Sequence, residues 1–183
     1  MRYDHLELCL LPDNQLATLF DLGTIPTFEE LGGWEFDGYN TFDGTHFLGI
    51  RRFRKGFMAS DETVDEGEIG GYNVTVNPGP PTDRWDIVYK QGKPHRHSPY
   101  RVYPVRPWEK DAAHLNALLI NYDCKRNPFW NPGVLRDYLV KIYPDNNDLY
   151  LGKAYVALGP ARLYISYFIL RRAEQVDPAT VWA

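Results

Sequence analysis

Gly32-Gly33-Trp34-Glu35-Phe36-Asp37 is where the texture of this chain changes. Two glycines end a helical stretch, and the next four residues alternate apolar and polar, the period of a half-buried strand. The rest of the chain repeats that texture. Strand-like runs follow at His46 to Phe53, Ile69 to Val76, Arg84 to Tyr89, Tyr100 to Val105, Asn116 to Tyr122, Leu135 to Ile142, Leu149 to Leu158 and Leu163 to Leu170. Turn-formers divide them: Asp43-Gly44, Asn77-Pro78-Gly79-Pro80-Pro81, Gln91-Gly92-Lys93-Pro94, Asn131-Pro132-Gly133, Asp145-Asn146-Asn147-Asp148 and Gly159-Pro160. About nine closely spaced strands with turn signals between them predict an all-β sandwich or barrel. Leu135 to Tyr143 fits two periods, because Leu135, Tyr138, Leu139 and Ile142 also share a helix face.

Upstream of the glycines the pattern is helical. Pro12-Asp13-Asn14-Gln15 opens a segment carrying Leu16, Leu19, Phe20 and Leu22, and Gly23 stands where a left-handed cap would close it. Thr27 and Glu30 have capping-box spacing, which predicts a one-turn helix ending at Leu31. No repeat or linker interrupts the chain. The expectation is one domain over 1–183, with a helical lead-in over 1–31 and a barrel over 34–172.

Composition narrows the function classes. The 183 residues carry a formal charge of −4, which argues against a nucleic-acid partner. Aromatic residues make up 15% of the chain, with 13 Tyr, 9 Phe and 5 Trp, and these suit both strands and polar-rimmed pocket walls. The two cysteines, Cys9 and Cys124, are too few for a disulfide framework or a zinc spacing and read as reduced thiols. The apolar stretch Cys9-Leu10-Leu11 is too short for a signal-peptide core, and no segment reaches the roughly 20 apolar residues of a membrane helix. A cytoplasmic protein without a membrane span is the expectation. Asn73-Val74-Thr75 is then a chance sequon.

The Gly32-Gly33-Trp34 motif, together with Leu170-Arg171-Arg172 late in the chain, resembles the lipocalin and fatty-acid-binding-protein superfamily, the calycins. The lead-in Leu19-Phe20-Asp21, Pro26-Thr27, Glu30-Leu31-Gly32, Trp34 is similar to bacterial lipocalin-like domains of the Gly-x-Trp-x-Gly type. So are Leu149-Tyr150-Leu151-Gly152-Lys153 and Tyr167-Phe168-Ile169-Leu170-Arg171. Phe36 departs from that type, standing where it has a second glycine. The resemblance implies an antiparallel up-and-down barrel with a ligand cavity. It also implies a guanidinium over the Trp34 indole at the closed end, a favourable cation–π stack. Whether Arg171 or Arg172 supplies it stays open, because both strand phases are apolar.

Four residues are expected to orient a ligand: Tyr122 and Asp123 at a strand end, Lys153, and Tyr167. An inward Asp123–Lys153 pair would join a carboxylate to a cation, equally an acid–base device or a structural bridge. His95-Arg96-His97 puts two imidazoles on one strand face, but Pro94 and Pro99 mark an exposed loop, so no metal site is expected. Arg51, Arg52, Arg54 and Lys55 read as a solvated face offset by the acidic run Asp61 to Glu68, with an anionic head group as the other reading. Ser166 lacks a nucleophile-elbow context, and no phosphate loop or dinucleotide fingerprint occurs, so neither a catalytic residue nor a cofactor is assigned. The leading reading is a binding protein for a small hydrophobic or amphipathic molecule. The alternatives are a cofactor-free isomerase or cyclase on the same barrel, and a dimeric interaction module with exposed aromatics.

Overall fold

The computed structural model describes residues 2–42, 51–59, 65–128 and 132–177. Among these residues three helices lead in: α1 (His5–Leu10), α2 (Asp13–Leu22) and α3 (Phe28–Leu31). Eight strands then close a barrel: β1 (Trp34–Asn40), β2 (Arg52–Phe57), β3 (Ile69–Val74), β6 (Arg96–Pro104), β7 (Leu118–Asn121), β8 (Leu135–Lys141), β9 (Leu149–Leu158) and β10 (Ala161–Gln175). Between β3 and β6 lies a small hairpin of β4 (Tyr89–Lys90) and β5 (Lys93–Pro94). Each barrel strand pairs antiparallel with the next in sequence, and β1 pairs with β10 to close the ring. This is the expected antiparallel up-and-down barrel. Of the strand expected over His46 to Phe53, residues 46–50 lie outside the described residues.

Local chemistry explains the lead-in. Asp4 and Glu7 form a capping box at α1, which lies within the helical lead-in but ahead of the segment that opens at Pro12. Thr27 and Glu30 form the expected box at α3, where the Thr27 N–H donates to Glu30 Oε2 at 3.0 Å. Gly23 departs from expectation. Its φ is −68°, so it is not a left-handed cap. It is needed because a Cβ there would stand 2.6 Å from Val140 Cγ2, where α2 leaves the barrel wall.

One open reading is settled and one expectation is corrected. Leu135–Lys141 is a strand, held by register pairs to both β7 and β9. Arg84 to Tyr89 is not a barrel strand. The carbonyls of Asp83 and Arg84 accept from the Arg52 guanidinium, and Trp85 is buried beneath that guanidinium at 4.1 Å. Backbone acceptors used on a side chain are lost to a ladder. Past Ile87 the chain turns through Gln91 and Gly92, both at positive φ (52° and 77°), the geometry of a tight primed hairpin.

Alternation along the strands divides the core in two. Outside the wall, Leu8, Leu16 and Phe20 pack onto Leu119, Tyr138, Val140, Leu151, Tyr167 and Ile169. Inside, Phe36, Phe57, Val102, Ile120, Leu139, Tyr150 and Leu170 fill the end nearest α3. There Phe36 meets Phe57 and Tyr150 edge-on, each at 5.5 Å. Arg172 lies over the half-buried Trp34 at 4.5 Å and donates to the carbonyls of Glu30 (2.8 Å) and Asn147 (2.6 Å). Arg171 turns to the other side and pairs with Asp37 at 3.3 Å. The stack sits at the packed end, so the barrel is closed there and hollow at the other.

Candidate functional site

The hollow half holds a cavity of about 370 Å³. Phe53, Leu135, Ala154, Ile165 and Phe168 supply apolar wall; Asn40, Asn73, Thr75, His95, His97, Tyr122 and Ser166 add polar groups. Phe168 lies flat because it crosses Gly152: a Cβ at that glycine would fall 2.0 Å from the ring. Two bulges tune what faces inward. On β6, Tyr100 opposes Gly71 and His97 opposes Asn73, so the strand gains a residue between them. Ser98 takes it up at a φ of 51°, and residues of opposite parity, His97 and Tyr100, both reach the interior. On β10 a register shift between Tyr164 and Ser166 leaves Ile165 and Ser166 both on the cavity.

At the floor stands a buried ionic cluster. Lys55 is 2% exposed and Asp137 6%, with Nζ and Oδ2 3.0 Å apart. The Lys55 ammonium also donates to the Tyr122 hydroxyl and to Asn73 Oδ1 (3.3 Å). Tyr122 donates to Asp137 Oδ2 at 3.3 Å and accepts from Asn73 Nδ2 at 3.2 Å. Four rings surround Nζ: Tyr122 at 4.9 Å, Tyr100 at 5.0 Å, Phe53 at 5.3 Å and Phe168 at 5.5 Å. Desolvation lowers the Lys55 pKa, and Asp137 opposes that fall. Burial and the adjacent Asp137 carboxylate hold the Tyr122 phenol well above its ordinary value, so it stays protonated. Asp137 Oδ1 accepts no hydrogen bond among the described residues. The cluster therefore offers the cavity a cation, a carboxylate oxygen and a phenol within one hydrogen-bonded unit.

The histidines stand at the mouth. Thr75 Oγ1 lies 2.7 Å from His95 Nδ1, and Ser98 Oγ lies 2.7 Å from His97 Nδ1. His97 is pushed down to about 4, first by desolvation and then by the charges of His95, Lys55 and Lys90, although part of its ring stays exposed. Among the described residues no three His, Cys, Asp or Glu side chains gather as a metal would require.

Of the four residues expected to orient a ligand, the structure brings only Tyr122 to the cavity. Asp123 follows it on the chain, points away, and pairs with Arg136 at 3.5 Å with its side chain 64% exposed. Lys153 and Tyr167 are register partners on the outer wall, where Lys153 Nζ lies near the rings of Phe20, Tyr155, Tyr164 and Tyr167. The conditional Asp123–Lys153 pair therefore does not form, since neither faces inward; Asp137 and Lys55 pair instead. The solvated reading of the basic cluster is also corrected. Arg52, Arg54 and Lys55 are all buried, with Lys55 inside the barrel and Arg54 outside it on Asp37 (2.8 Å) and Glu174 (2.7 Å). One signal in the sequence pointed to this: Phe53, Lys55 and Phe57 alternate, which puts Lys55 on the same face as two phenylalanines.

No family model and no curated protein matches the chain. Among solved structures, one described as "The Siderocalin Ex-FABP functions through dual ligand specificities" is 8% identical, with a TM-score of 0.39 over 82% of this chain and 75% of that one. The strand order of the barrel itself carries the fold. No helix among the described residues is long and apolar enough to cross a membrane.

Proposed function

We propose that this protein binds a small amphipathic molecule inside the barrel, its apolar body against Phe53, Leu135, Ile165 and Phe168 and its polar end on the Lys55–Asp137–Tyr122–Asn73 cluster. The observation that carries this reading is the cavity: about 370 Å³, in the range of small-molecule sites, apolar-walled with a few convergent polar groups. Burying apolar ligand surface yields roughly 25 cal/mol per Å² before association costs. Native mass spectrometry of the protein purified from its own host tests the reading. A retained small molecule, lost on denaturation, is expected. A bare chain that also shows no thermal shift with any hydrophobic probe overturns it.

A second reading rests on Asp137 Oδ1, a carboxylate oxygen on a cavity wall that accepts no hydrogen bond among the described residues. Beside a lysine and a phenol, it suits proton transfer in a cofactor-free isomerase or cyclase. The hollow interior supports the binding reading over an interaction module, for which a filled barrel is expected.

A further inference from the structure

We infer that Lys55 captures carbonyl compounds covalently, so that the ligand class of this cavity includes apolar aldehydes held as a protonated imine. The inference rests on the binding reading above and adds the bond. Lys141 is also buried, but it is occupied by Glu30 (2.6 Å) and Asn147 at the packed end. Lys55 lines the cavity. A buried lysine gives up its proton more readily than an exposed one, and the neutral amine is the nucleophile. Asp137, 3.0 Å away, is placed to take that proton.

The step closes without any other reagent. Lys55 passes a proton to Asp137, and the Nζ lone pair forms a bond to the carbonyl carbon while the C=O π pair moves to oxygen. That oxygen takes the proton held by Asp137, giving a carbinolamine. Nitrogen returns a proton to Asp137, which delivers it to the hydroxyl. Water departs as the nitrogen lone pair makes the C=N bond. Lys-NH₃⁺ plus an aldehyde becomes a protonated imine plus water, with nothing oxidised or reduced.

The charges before and after are the same, which is why this cluster suits the reaction. A cation remains beside the Asp137 carboxylate, among four rings that favour positive charge. The buried pair is neutralised only during the proton transfers and is restored when the imine forms. Ketones and acids fit less well, a ketone for crowding at the carbon and an acid because it brings a second anion to Asp137.

The test uses the whole chain with cinnamaldehyde, and cinnamyl alcohol as a partner of matching shape that cannot form an imine. After equilibration, sodium cyanoborohydride is added and the protein is mapped by mass spectrometry. The expected result is a single adduct on Lys55, its mass that of the aldehyde less one oxygen, falling to background in Lys55→Arg. Arginine keeps the charge, so a folded control is retained. If Lys55→Arg fails to fold, competition between cinnamyl alcohol and the aldehyde for labelling of the native chain decides. Loss of the Lys55 adduct as alcohol is added supports capture in the cavity. Equal binding of aldehyde and alcohol with no trapped adduct overturns the covalent step and leaves the binding reading standing. Binding of neither overturns both. Adducts spread over surface lysines, unchanged by Lys55→Arg, overturn the inference.

Discussion

Removing one partner of the Lys55–Asp137 pair should destabilise the protein, with opposite pH dependence for the two partners. Both groups are buried at 3.0 Å, so Lys55→Met strands a carboxylate and Asp137→Asn strands an ammonium. Breaking a buried pair costs roughly 3–5 kcal/mol. Each stranded group has an escape, which is to neutralise, and that caps its cost. At pH 7 protonating an ordinary Asp costs about 4 kcal/mol and deprotonating an ordinary Lys about 5 kcal/mol, at 1.36 kcal/mol per unit. In Lys55→Met the buried carboxylate has lost its cation, so folding favours its neutral form. Stability is then full below about pH 4 and falls with rising pH, by up to ~1.4 kcal/mol per unit. In Asp137→Asn the folded Lys55 pKa drops further. Its deficit shrinks as pH rises from 7 toward 10, by up to the same slope. The double variant Lys55→Met/Asp137→Leu leaves no stranded charge and should recover most of the loss. Urea unfolding of all four proteins at pH 5, 7 and 9 reads these slopes. Two single variants that lose under about 1 kcal/mol with flat pH profiles would show that the pair is solvated and the cluster misassigned.

Two further outcomes follow from the same geometry. Burial and the nearby Arg171 charge push the His5 imidazole down to about 4, so its unfolded form binds a proton first. Stability tied to His5 is therefore complete above pH 6.5 and lost between pH 6.5 and 4, by about 3 kcal/mol, and His5→Leu should flatten that part of a stability–pH curve. At the packed end, Arg172→Ala removes the stack on Trp34 and two hydrogen bonds to carbonyls, and should cost about 1–3 kcal/mol in thermal or urea unfolding. Arg171→Ala should leave the stack intact, and neither change should alter the stoichiometry of ligand binding.

Much of the barrel was legible because alternation and turn residues are local signals. Leu149–Leu158 reads as a strand within its own ten residues, and Gly159-Pro160 marks its turn. Leu135–Lys141 could not be settled that way, since its periodicity fits both classes and only pairing to β7 and β9 decides. The site was harder, because it depends on strand phase across the whole ring. Lys153 and Ala154 are neighbours, yet one faces Phe20 outside and the other the cavity. A one-residue slip in β9 exchanges the two. The β6 and β10 bulges shift phase within a strand, and only their partners' register reveals them. Lys55 was hidden by its neighbours: three basic residues beside it suggest solvent, whereas the strand sends Arg54 and Lys55 to opposite faces, both buried.

That phase also supplies the most direct test of the binding claim. Ala154 lines the cavity and Lys153 the outer wall, so Ala154→Trp should fill the hollow while Lys153→Met should not touch it. The measurement is titration of a hydrophobic fluorescent probe into the wild type and both variants, each first shown to be folded by circular dichroism. Binding in the cavity predicts one saturable site per chain in the wild type, kept in Lys153→Met and abolished in Ala154→Trp. A probe that binds Ala154→Trp as well as the wild type, or that is lost from Lys153→Met instead, would contradict the placement of the ligand inside the barrel.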